Sequence, residues 1–171
     1  MTGNTRGFTL IELLVAVTLL AICIGLGTPS LTRFIRAQQL TATSQVLSSS
    51  LALARQESVF RKVAVLVDNR DGDWATGWWV YADQNGNGRW DESDVLIRQI
   101  GPQPAGVVIK GNSPVRRYIR YTPTGRATML GGAFQAGTLT LCRSDGKSHV
   151  TKLVINAAGR VRRAKQPPGS C

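Results

Sequence analysis

The longest uniform stretch of the chain is apolar. From Phe8 to Thr28 every side chain is apolar or small except for one carboxylate, Glu12. About 20 such residues suffice for a helix to cross a bilayer, so the pattern predicts a membrane-spanning helix over residues 8–29. A carboxylate in hydrocarbon costs roughly 2.5–3.5 kcal/mol on insertion scales and usually has a partner or a function. Glu12 is therefore the first candidate functional residue.

Beyond Pro29, where a kink is expected, the pattern becomes that of an amphipathic helix. Residues 30–62 contain no Pro or Gly, and small or apolar side chains recur there at spacings of three and four. This spacing predicts a helical continuation over residues 30–62 that lies close against a sheet. The face it would bury consists of Leu40, Ser44, Leu47, Leu51 and Ala54.

The remaining residues, 63–171, alternate short β-type runs with Gly, Asn and Pro, which indicates a globular β-rich domain. The predicted fold class is α+β, with a long N-terminal helix packed on antiparallel sheets. Residues 166–170 are expected to form an irregular tail. The predicted strands cover residues 63–68, 78–83, 95–100, 107–110, 118–121, 138–142 and 150–156.

Three ordinary explanations of the N-terminus fit it poorly. A cleaved secretory signal would have a shorter apolar core and a small-residue cleavage site. A lipoprotein signal would have a small residue in place of Ile22, before Cys23. A plain signal anchor leaves Glu12 unexplained.

The segment around Glu12 resembles instead the class III leader of type IV pilins and pseudopilins. The resemblance rests on Gly7-Phe8-Thr9-Leu10-Ile11-Glu12-Leu13-Leu14. It implies that a prepilin peptidase removes a leader, residues 1–7, after Gly7, and that the new N-terminus, Phe8, is methylated. It also implies that Glu12 pairs with the N-terminus of a neighbouring pilin during assembly. The implied location is the inner membrane, with one span and a periplasmic domain, and then a pilus or pseudopilus on the cell surface.

The second half resembles the GspH/FimT-type minor pseudopilins, so the resemblance covers nearly the whole chain. Tyr121 stands where Phe is expected. The segments that carry the resemblance are residues 83–88, followed by Val95-Leu96, then residues 118–126 and 155–162.

The charge is distributed unevenly. The chain has 21 Lys and Arg against 10 Asp and Glu, a net charge of +11, which favours anionic partners such as nucleic acid or lipid headgroups. Seven of the ten acids lie between Asp68 and Asp94. The rest of the chain is therefore strongly basic.

The C-terminal part contains the best candidate for a binding element, Gly159-Arg160-Val161-Arg162. In an extended segment, Arg160 and Arg162 project to one side and Val161 to the other, while Gly159 permits a tight turn. A solvated basic tail would explain the charge equally well. The four residues match the GRxR element implicated in DNA binding by FimT-type pilins. Further candidates for the DNA-binding surface are Arg163, Lys165, Arg143, Lys147, Lys152, Arg116, Arg117, Arg120 and Arg126.

The acidic segment offers a second candidate site. Asp83, Asn85, Asn87, Asp91 and Asp94 occupy the oxygen-ligand positions of a calcium loop. However, the last ligand of such a loop is normally Glu, the flanks are β-type, and Asn-Gly pairs also favour hairpins. We expect a turn here and no metal. Core or sheet-face packing is expected for the neighbouring Trp74, Trp78, Trp79 and Trp90.

Two cysteines of the exported domain, Cys142 and Cys171, could pair in an oxidising periplasm, and the sequence leaves this open. No Walker, GxSxG or zinc pattern is present, and His149 has no suitable neighbours. We therefore expect no enzyme and no cofactor.

Two functions remain open. One is a minor pilin that binds extracellular DNA for natural transformation, and the other is a structural pseudopilin that primes or caps a type IV pilus or a type II secretion pseudopilus.

Overall fold

A computed structural model describes Gly7 and residues 9–171, apart from the side chains of residues 26–30. The predicted leader, residues 1–6, and the predicted mature N-terminus, Phe8, lie outside the described residues. A single helix, α1 (Leu10–Arg61), continues without a break through Pro29. The chain divides into two compact units, residues 1–36 and 37–171.

From Leu10 onward the first unit is helical, and its described side chains include exposed large apolar ones such as Leu10, Leu14 and Leu20. The predicted membrane span, residues 8–29, includes residues that lie outside the description. In the part of the chain that is described, no helical stretch combines the length and the apolar character needed to cross a membrane.

The second unit has the helix-on-sheet organisation that the sequence predicts. Leu47, Leu51 and Ala54 are fully buried, and Leu40 and Ser44 are nearly so, which confirms the predicted face of the helix. These side chains pack with Val65, Val67, Leu139, Leu153 and other strand residues in one hydrophobic core.

In the described part of the chain, eight strands form two four-stranded antiparallel sheets, with strand orders β3-β2-β1-β5 and β4-β6-β7-β8. All seven predicted strands are present within one residue of their predicted ends. The strands are β1 (Ala64–Asp68), β2 (Trp78–Asp83), β3 (Val95–Ile100), β4 (Val107–Gly111), β5 (Tyr118–Tyr121), β6 (Gly137–Arg143), β7 (His149–Ile155) and β8 (Val161–Pro168).

The eighth strand corrects the expectation of an irregular tail at residues 166–170. Strand β8 runs to Pro168 and pairs antiparallel with β7, from Ile155 opposite Val161 to His149 opposite Pro168. Two adjacent prolines are tolerated because β8 is an edge strand, whose outer N–H groups need no partner in the sheet. The chain then ends at Cys171, which is joined to Cys142 by a disulfide.

The tryptophans pack as expected. Trp74 and Trp78 are buried, and the indole N–H of Trp74 donates to the carbonyl of Arg116 at 2.9 Å. Trp79 is half-buried, packs edge-on against Trp90, and lies 4.2 Å beneath the Arg70 guanidinium.

Candidate nucleic-acid interface

The turn between β7 and β8 is built around Gly159. Its N–H donates to the carbonyl of Asn156 at 2.9 Å, and the Arg160 N–H donates to the Asn156 side chain at 2.9 Å. Gly159 has φ of +76°, and a Cβ there would collide with the carbonyl oxygen of Gly125. Glycine is therefore required both for the left-handed backbone and for the close approach of a second turn.

That second turn, residues 122–126, fastens the first to the helix. Arg55 on α1 donates from Nε to the Gly125 carbonyl at 2.9 Å, and the Ala127 N–H donates to the Ala157 carbonyl at 3.1 Å. Tyr121 is fully buried close to Gly159. Burial raises the pKa of the Tyr121 hydroxyl above its ordinary value, and the charge of Arg55 partly opposes the shift. The two turns and the helix thus form one supported corner of the domain.

At this corner the residues of the basic element alternate as the sequence predicts. Val161 is half-buried and packs against the core, whereas Arg160 and Arg162 are exposed on either side of it. Among the described residues, neither guanidinium has a hydrogen-bond or ion-pair partner. Their charges are therefore available to an external anion.

The sheet register adds basic residues to the face that Arg162 shares. Arg162 lies opposite Val154, and Lys152 lies two residues from Val154 on β7, so the two basic side chains project from the same face. The next cross-strand neighbours of Lys152 are Thr140 and then Lys110. Arg162, Lys152 and Lys110 therefore lie on one face of the sheet.

Two other predicted residues belong to the opposite face. Arg163 lies opposite the buried Leu153, and Lys165 lies opposite the buried Thr151. Both basic side chains are exposed, because β8 is at the edge of the sheet. The basic residues of β8 therefore point to both sides of the edge and do not form a single row.

Two of the predicted residues fall away from this surface. Arg143 is buried, 6 % exposed, and its Nη1 lies 3.4 Å from Oε1 of Gln39 on α1. Its inclusion in the DNA-binding set is wrong, because a buried guanidinium cannot reach phosphate. Lys147 is exposed, but it precedes β7, whereas Arg160 follows it. The seven residues of β7 place its two ends about 20 Å apart, so Lys147 lies at the opposite end of the strand from Arg160.

The predicted arginines near β5, namely Arg116, Arg117, Arg120 and Arg126, do not lie on one surface. Arg116 and Arg117 precede β5, where their carbonyls accept hydrogen bonds from Asn69, and the charge of Arg117 acts on the Asp68 carboxyl. They therefore lie on the acidic side of the domain and do not extend the corner. Arg120 is half-buried and donates to Thr128 at 3.0 Å.

Arg126 is exposed and belongs to the turn that packs against Gly159, so it does extend the corner.

Sequence reasoning missed two residues, Arg55 and Lys110. Arg55 is 70 residues away from Gly125, so no local sequence pattern links the two residues. Lys110 shares a face with Lys152 and Arg162 only because β4 pairs with β6 and β6 pairs with β7.

A groove of about 690 Å³ runs between the helix and the corner. Among the described residues that line it, Arg55 and Arg160 are the cations and none is acidic. Its apolar surface includes Phe60, which is 80 % exposed. The lining residues are Ser48, Ala52, Arg55, Gln56, Val59, Phe60, Thr124, Gly125, Gly159, Arg160 and Val161.

Glu12, the candidate assembly residue, lies in the first turn of α1 and caps it. The Glu12 N–H donates to Thr9 Oγ1 at 3.3 Å, while a Glu12 carboxylate oxygen lies 3.5 Å from the Thr9 N–H. This reciprocal arrangement is a capping box, which satisfies two helix-end donors. The Thr-x-x-Glu spacing was visible in the sequence, so this local role could have been predicted.

Comparison with known proteins identifies the family. The model of the family described as type II transport protein GspH matches residues 43–159, which is most of the chain. The chain belongs to the GspH family. The prokaryotic N-terminal methylation motif matches residues 3–28. A search of curated proteins gives no match.

Solved structures show the same fold. One crystal form of the type IV minor pilin FimU from Pseudomonas aeruginosa PAO1 is similar at 23 % identity and a TM-score of 0.56, over 79 % of this chain and 93 % of FimU. A second crystal form gives 21 % identity and a TM-score of 0.56, over 75 % and 93 %. The long helix on antiparallel sheets is thus the pilin fold.

Membership of the GspH family, with the methylation motif, makes this chain a minor pilin or pseudopilin. Proteins of that class are structural components that a prepilin peptidase processes, that are anchored in the inner membrane, and that then join other pilins in a fibre. The match to GspH ends at Gly159. Arg160 and all of β8 therefore lie beyond the matched residues.

Proposed function

We propose that this GspH-family protein is a minor type IV pilin that binds extracellular DNA without sequence preference during natural transformation. The observation that carries the proposal is the pair of exposed guanidinium groups of Arg160 and Arg162, which have no partner among the described residues. They flank Val161, which packs against the core and fixes their direction.

The electrostatics suit a phosphate backbone and not a particular base sequence. Arg160, Arg162, Lys152 and Arg126 carry positive charge on or beside the corner. None of the described residues that line the groove next to Arg160 is acidic. Contacts of Lys and Arg with phosphates release counterions, which gives affinity that falls steeply with salt. Such contacts carry no sequence information by themselves.

The backbone that carries Arg160 and Arg162 is held in place by its neighbours. This favours a DNA-binding role for the two arginines over the alternative of a solvated basic tail. The Arg160 backbone is held by Asn156, the turn packs on Gly125, and Gly125 is held by Arg55. Strand β8 is paired along its length, and the chain beyond it is tied to Cys142. A preorganised pair of cations loses less conformational entropy when it binds than a free tail would.

The test is a DNA-binding isotherm measured at several salt concentrations on the full chain in detergent micelles, with labelled duplexes of unrelated sequence. The double variant Arg160→Gln with Arg162→Gln should lower the log–log salt slope by up to roughly 2, because each lost phosphate contact removes about 0.9. Binding should weaken similarly for every sequence.

The matched control is Arg116→Gln with Arg117→Gln, which removes the same charge on the acidic side of the domain. It should have a smaller effect on both the slope and the affinity. If both double variants bind DNA as the unaltered protein does, the chain is better explained as a structural pseudopilin of a pilus or a type II secretion system. In the bacterium, the Arg160 and Arg162 variant should depress transformation while pili still assemble.

For assembly we propose that cleavage follows Gly7, that Phe8 becomes the methylated N-terminus, and that a single span inserts the chain with its globular domain in the periplasm. Glu12 would then pair with the N-terminus of a neighbouring pilin, since an amine offsets the cost of a carboxylate in hydrocarbon. Gly7→Ala should block removal of the leader, which is measured by the size of the product.

The capping box makes a sharper test of Glu12 possible. Glu12→Gln keeps a side-chain oxygen that can accept from the Thr9 N–H but removes the charge, whereas Glu12→Ala removes both. If the charge serves assembly, both variants should be processed and inserted normally, and both should be depleted from filaments. Normal incorporation of Glu12→Gln together with loss of Glu12→Ala would assign Glu12 to helix capping alone.

A further inference from the structure

The loop that joins β2 to β3 contains two buried carboxylates at its ends. Asp83 is 2 % exposed and Asp94 is 9 % exposed. Within the part of the chain that the structure describes, no Lys or Arg forms an ion pair with either. Removing a carboxylate from water is expensive, and buried charges are generally paired or coordinated to a metal. Asp94 accepts a main-chain N–H on each oxygen, from Gln84 and from Asp91, both at 3.0 Å. Of these two carboxylates, only Asp83 keeps a buried oxygen without a hydrogen-bond partner among the described residues.

The carboxylate of Asp83 provides an observation that does not depend on the spacing of the loop. Its Oδ2 accepts the Gly88 N–H at 3.0 Å, which turns the carboxylate toward the inside of the loop. Its Oδ1 is buried as well and has no hydrogen-bond partner among the described residues. Leaving a buried acceptor of a charged group unsatisfied costs more than a hydrogen bond contributes, so an unpaired carboxylate oxygen in this position calls for a cation or a water.

We propose that this loop is a calcium site. Calcium takes six to eight oxygen ligands, and a 12-residue loop supplies them from positions 1, 3, 5, 7, 9 and 12, with Gly at position 6. Gly88 occupies position 6 with φ of +70°. The oxygens at the other positions belong to Asp83, Asn85, Asn87, the main-chain carbonyl of Arg89, Asp91 and Asp94.

The donor chemistry selects calcium over other metals. No group of three or more His, Cys, Asp or Glu side chains within the described residues is placed to hold a metal ion. The proposed site relies instead on two carboxylates, two amides and a main-chain carbonyl, with Asp91 acting through water as position 9 often does. Neutral oxygens of this kind suit calcium and do not suit zinc.

The two amides of the loop already turn their oxygens toward its main chain. Asn85 Oδ1 accepts the Asn87 N–H at 3.1 Å and Asn87 Oδ1 accepts the Arg89 N–H at 2.7 Å, while both Nδ2 groups donate to Asp91 Oδ2. An amide oxygen has two lone pairs, so each can also meet a cation. Because Asp94 is shorter than the usual Glu, we expect a dissociation constant on the order of 0.1–1 mM, the range of extracellular modules.

The loop also contains a spectroscopic reporter. Trp90 lies within the loop, with its ring centroid 5.4 Å from that of Tyr81. A terbium ion bound in the loop should therefore luminesce when Trp90 is excited.

The experiment uses the full chain in detergent after treatment with EDTA. Addition of 10 mM calcium, ~10 to 100 times the expected dissociation constant, should raise the melting temperature by about 3–10 °C. Terbium luminescence excited through tryptophan should appear and should be displaced by calcium. An equal response to 10 mM magnesium, or no thermal shift and no luminescence, would overturn the proposal and leave a hydrogen-bonded turn.

Substitutions in the loop test whether the calcium-induced rise in melting temperature comes from this site. Asp83→Asn and Asp94→Asn should each abolish the calcium shift, whereas Asp71→Asn, an exposed acid of the same segment, should keep it. In EDTA, Asp83→Asn should melt at or above the temperature of the unaltered protein, because it removes an unpaired buried charge. A calcium shift that persists in both loop variants would place the ion elsewhere and refute the site.

Discussion

The acidic loop between β2 and β3 and the basic turn between β7 and β8 are both hairpin connections built from Asn and from Gly with positive φ. They differ in what their charged side chains bind. In the acidic loop, Asp91 accepts hydrogen bonds from Ser93, Asn85 and Asn87, and these hold the pKa of Asp91 below its ordinary value. In the basic turn, Arg160 and Arg162 bind nothing among the described residues.

The backbones show the reverse arrangement. Gly86, in the acidic loop, has no atom close to where a Cβ would lie, whereas Gly159 is pressed against Gly125 and Tyr121. Around Gly86 the acidic loop is thus held by its own side chains, and it meets a neighbour at Gly88, which packs against Leu130. The basic turn is held by its neighbours, which leaves its side chains free for a partner.

The largest effect is expected from the disulfide, which fastens the chain after β8 and has no counterpart in the acidic loop. Cys171→Ser should lower the free energy of unfolding by about 3–4 kcal/mol, the chain-entropy estimate for a sequence separation of 29. Chemical denaturation of the full chain measures it, with Cys23→Ser as the control. Reductant should destabilise the unaltered protein but not Cys171→Ser, and insensitivity of the unaltered protein would contradict the prediction.

A pair of glycine substitutions tests the contrast between the two backbones. Gly86→Ala and Gly159→Ala place a Cβ at almost the same φ, +74° and +76°. Gly86→Ala should cost about 1–2 kcal/mol from the left-handed conformation alone. Gly159→Ala should cost at least ~2 kcal/mol more, because its Cβ meets the Gly125 carbonyl. If both variants lose the same free energy of unfolding in EDTA-containing buffer, the corner accommodates the added Cβ without cost and the contrast is refuted.

A smaller effect, on binding, follows from the proposed DNA contact. Arg126 lies in the turn beside Gly159, whereas Arg117 lies beside Asp68. Arg126→Gln should reduce the salt slope of DNA binding by roughly 0.9, and Arg117→Gln should leave it nearly unchanged. The opposite ranking would move the DNA footprint to the acidic side.

The smallest effect concerns Asp68, at the start of the acidic segment. Burial raises the pKa of this carboxyl above 3.8, although a hydrogen bond from the Arg70 N–H opposes the shift. The contribution of protonated Asp68 to stability is present below the unfolded pKa and is lost as pH rises through the higher folded pKa. Asp68→Asn keeps the acceptor for Arg70, so its melting temperature relative to the unaltered protein should be higher at pH 7 than at pH 3. A difference that does not change with pH would contradict this.

The sequence by itself determined the elements whose signals are local. The spacing from Leu40 to Ala54 predicted the buried helix face, and alternating apolar runs predicted seven strands, because burial of one face imposes a period on nearby residues. The resemblance at Gly7 to Glu12 and in the second half identified the family. The Gly159 turn and the inward direction of Val161 also followed from neighbouring residues.

Only the tertiary structure decided the rest. Strand β8 is polar and ends in two prolines, so its pattern did not predict a strand, and pairing with β7 formed it. Residues far apart in sequence meet: Arg143 is buried against Gln39, and Arg55 donates to Gly125. Residues close in sequence are separated: Arg116 lies on the acidic side of the domain and Arg126 at the basic corner. The reason is that periodicity reports which side of an element is buried, whereas the packing of distant elements decides which charges meet, which are covered and which stay free.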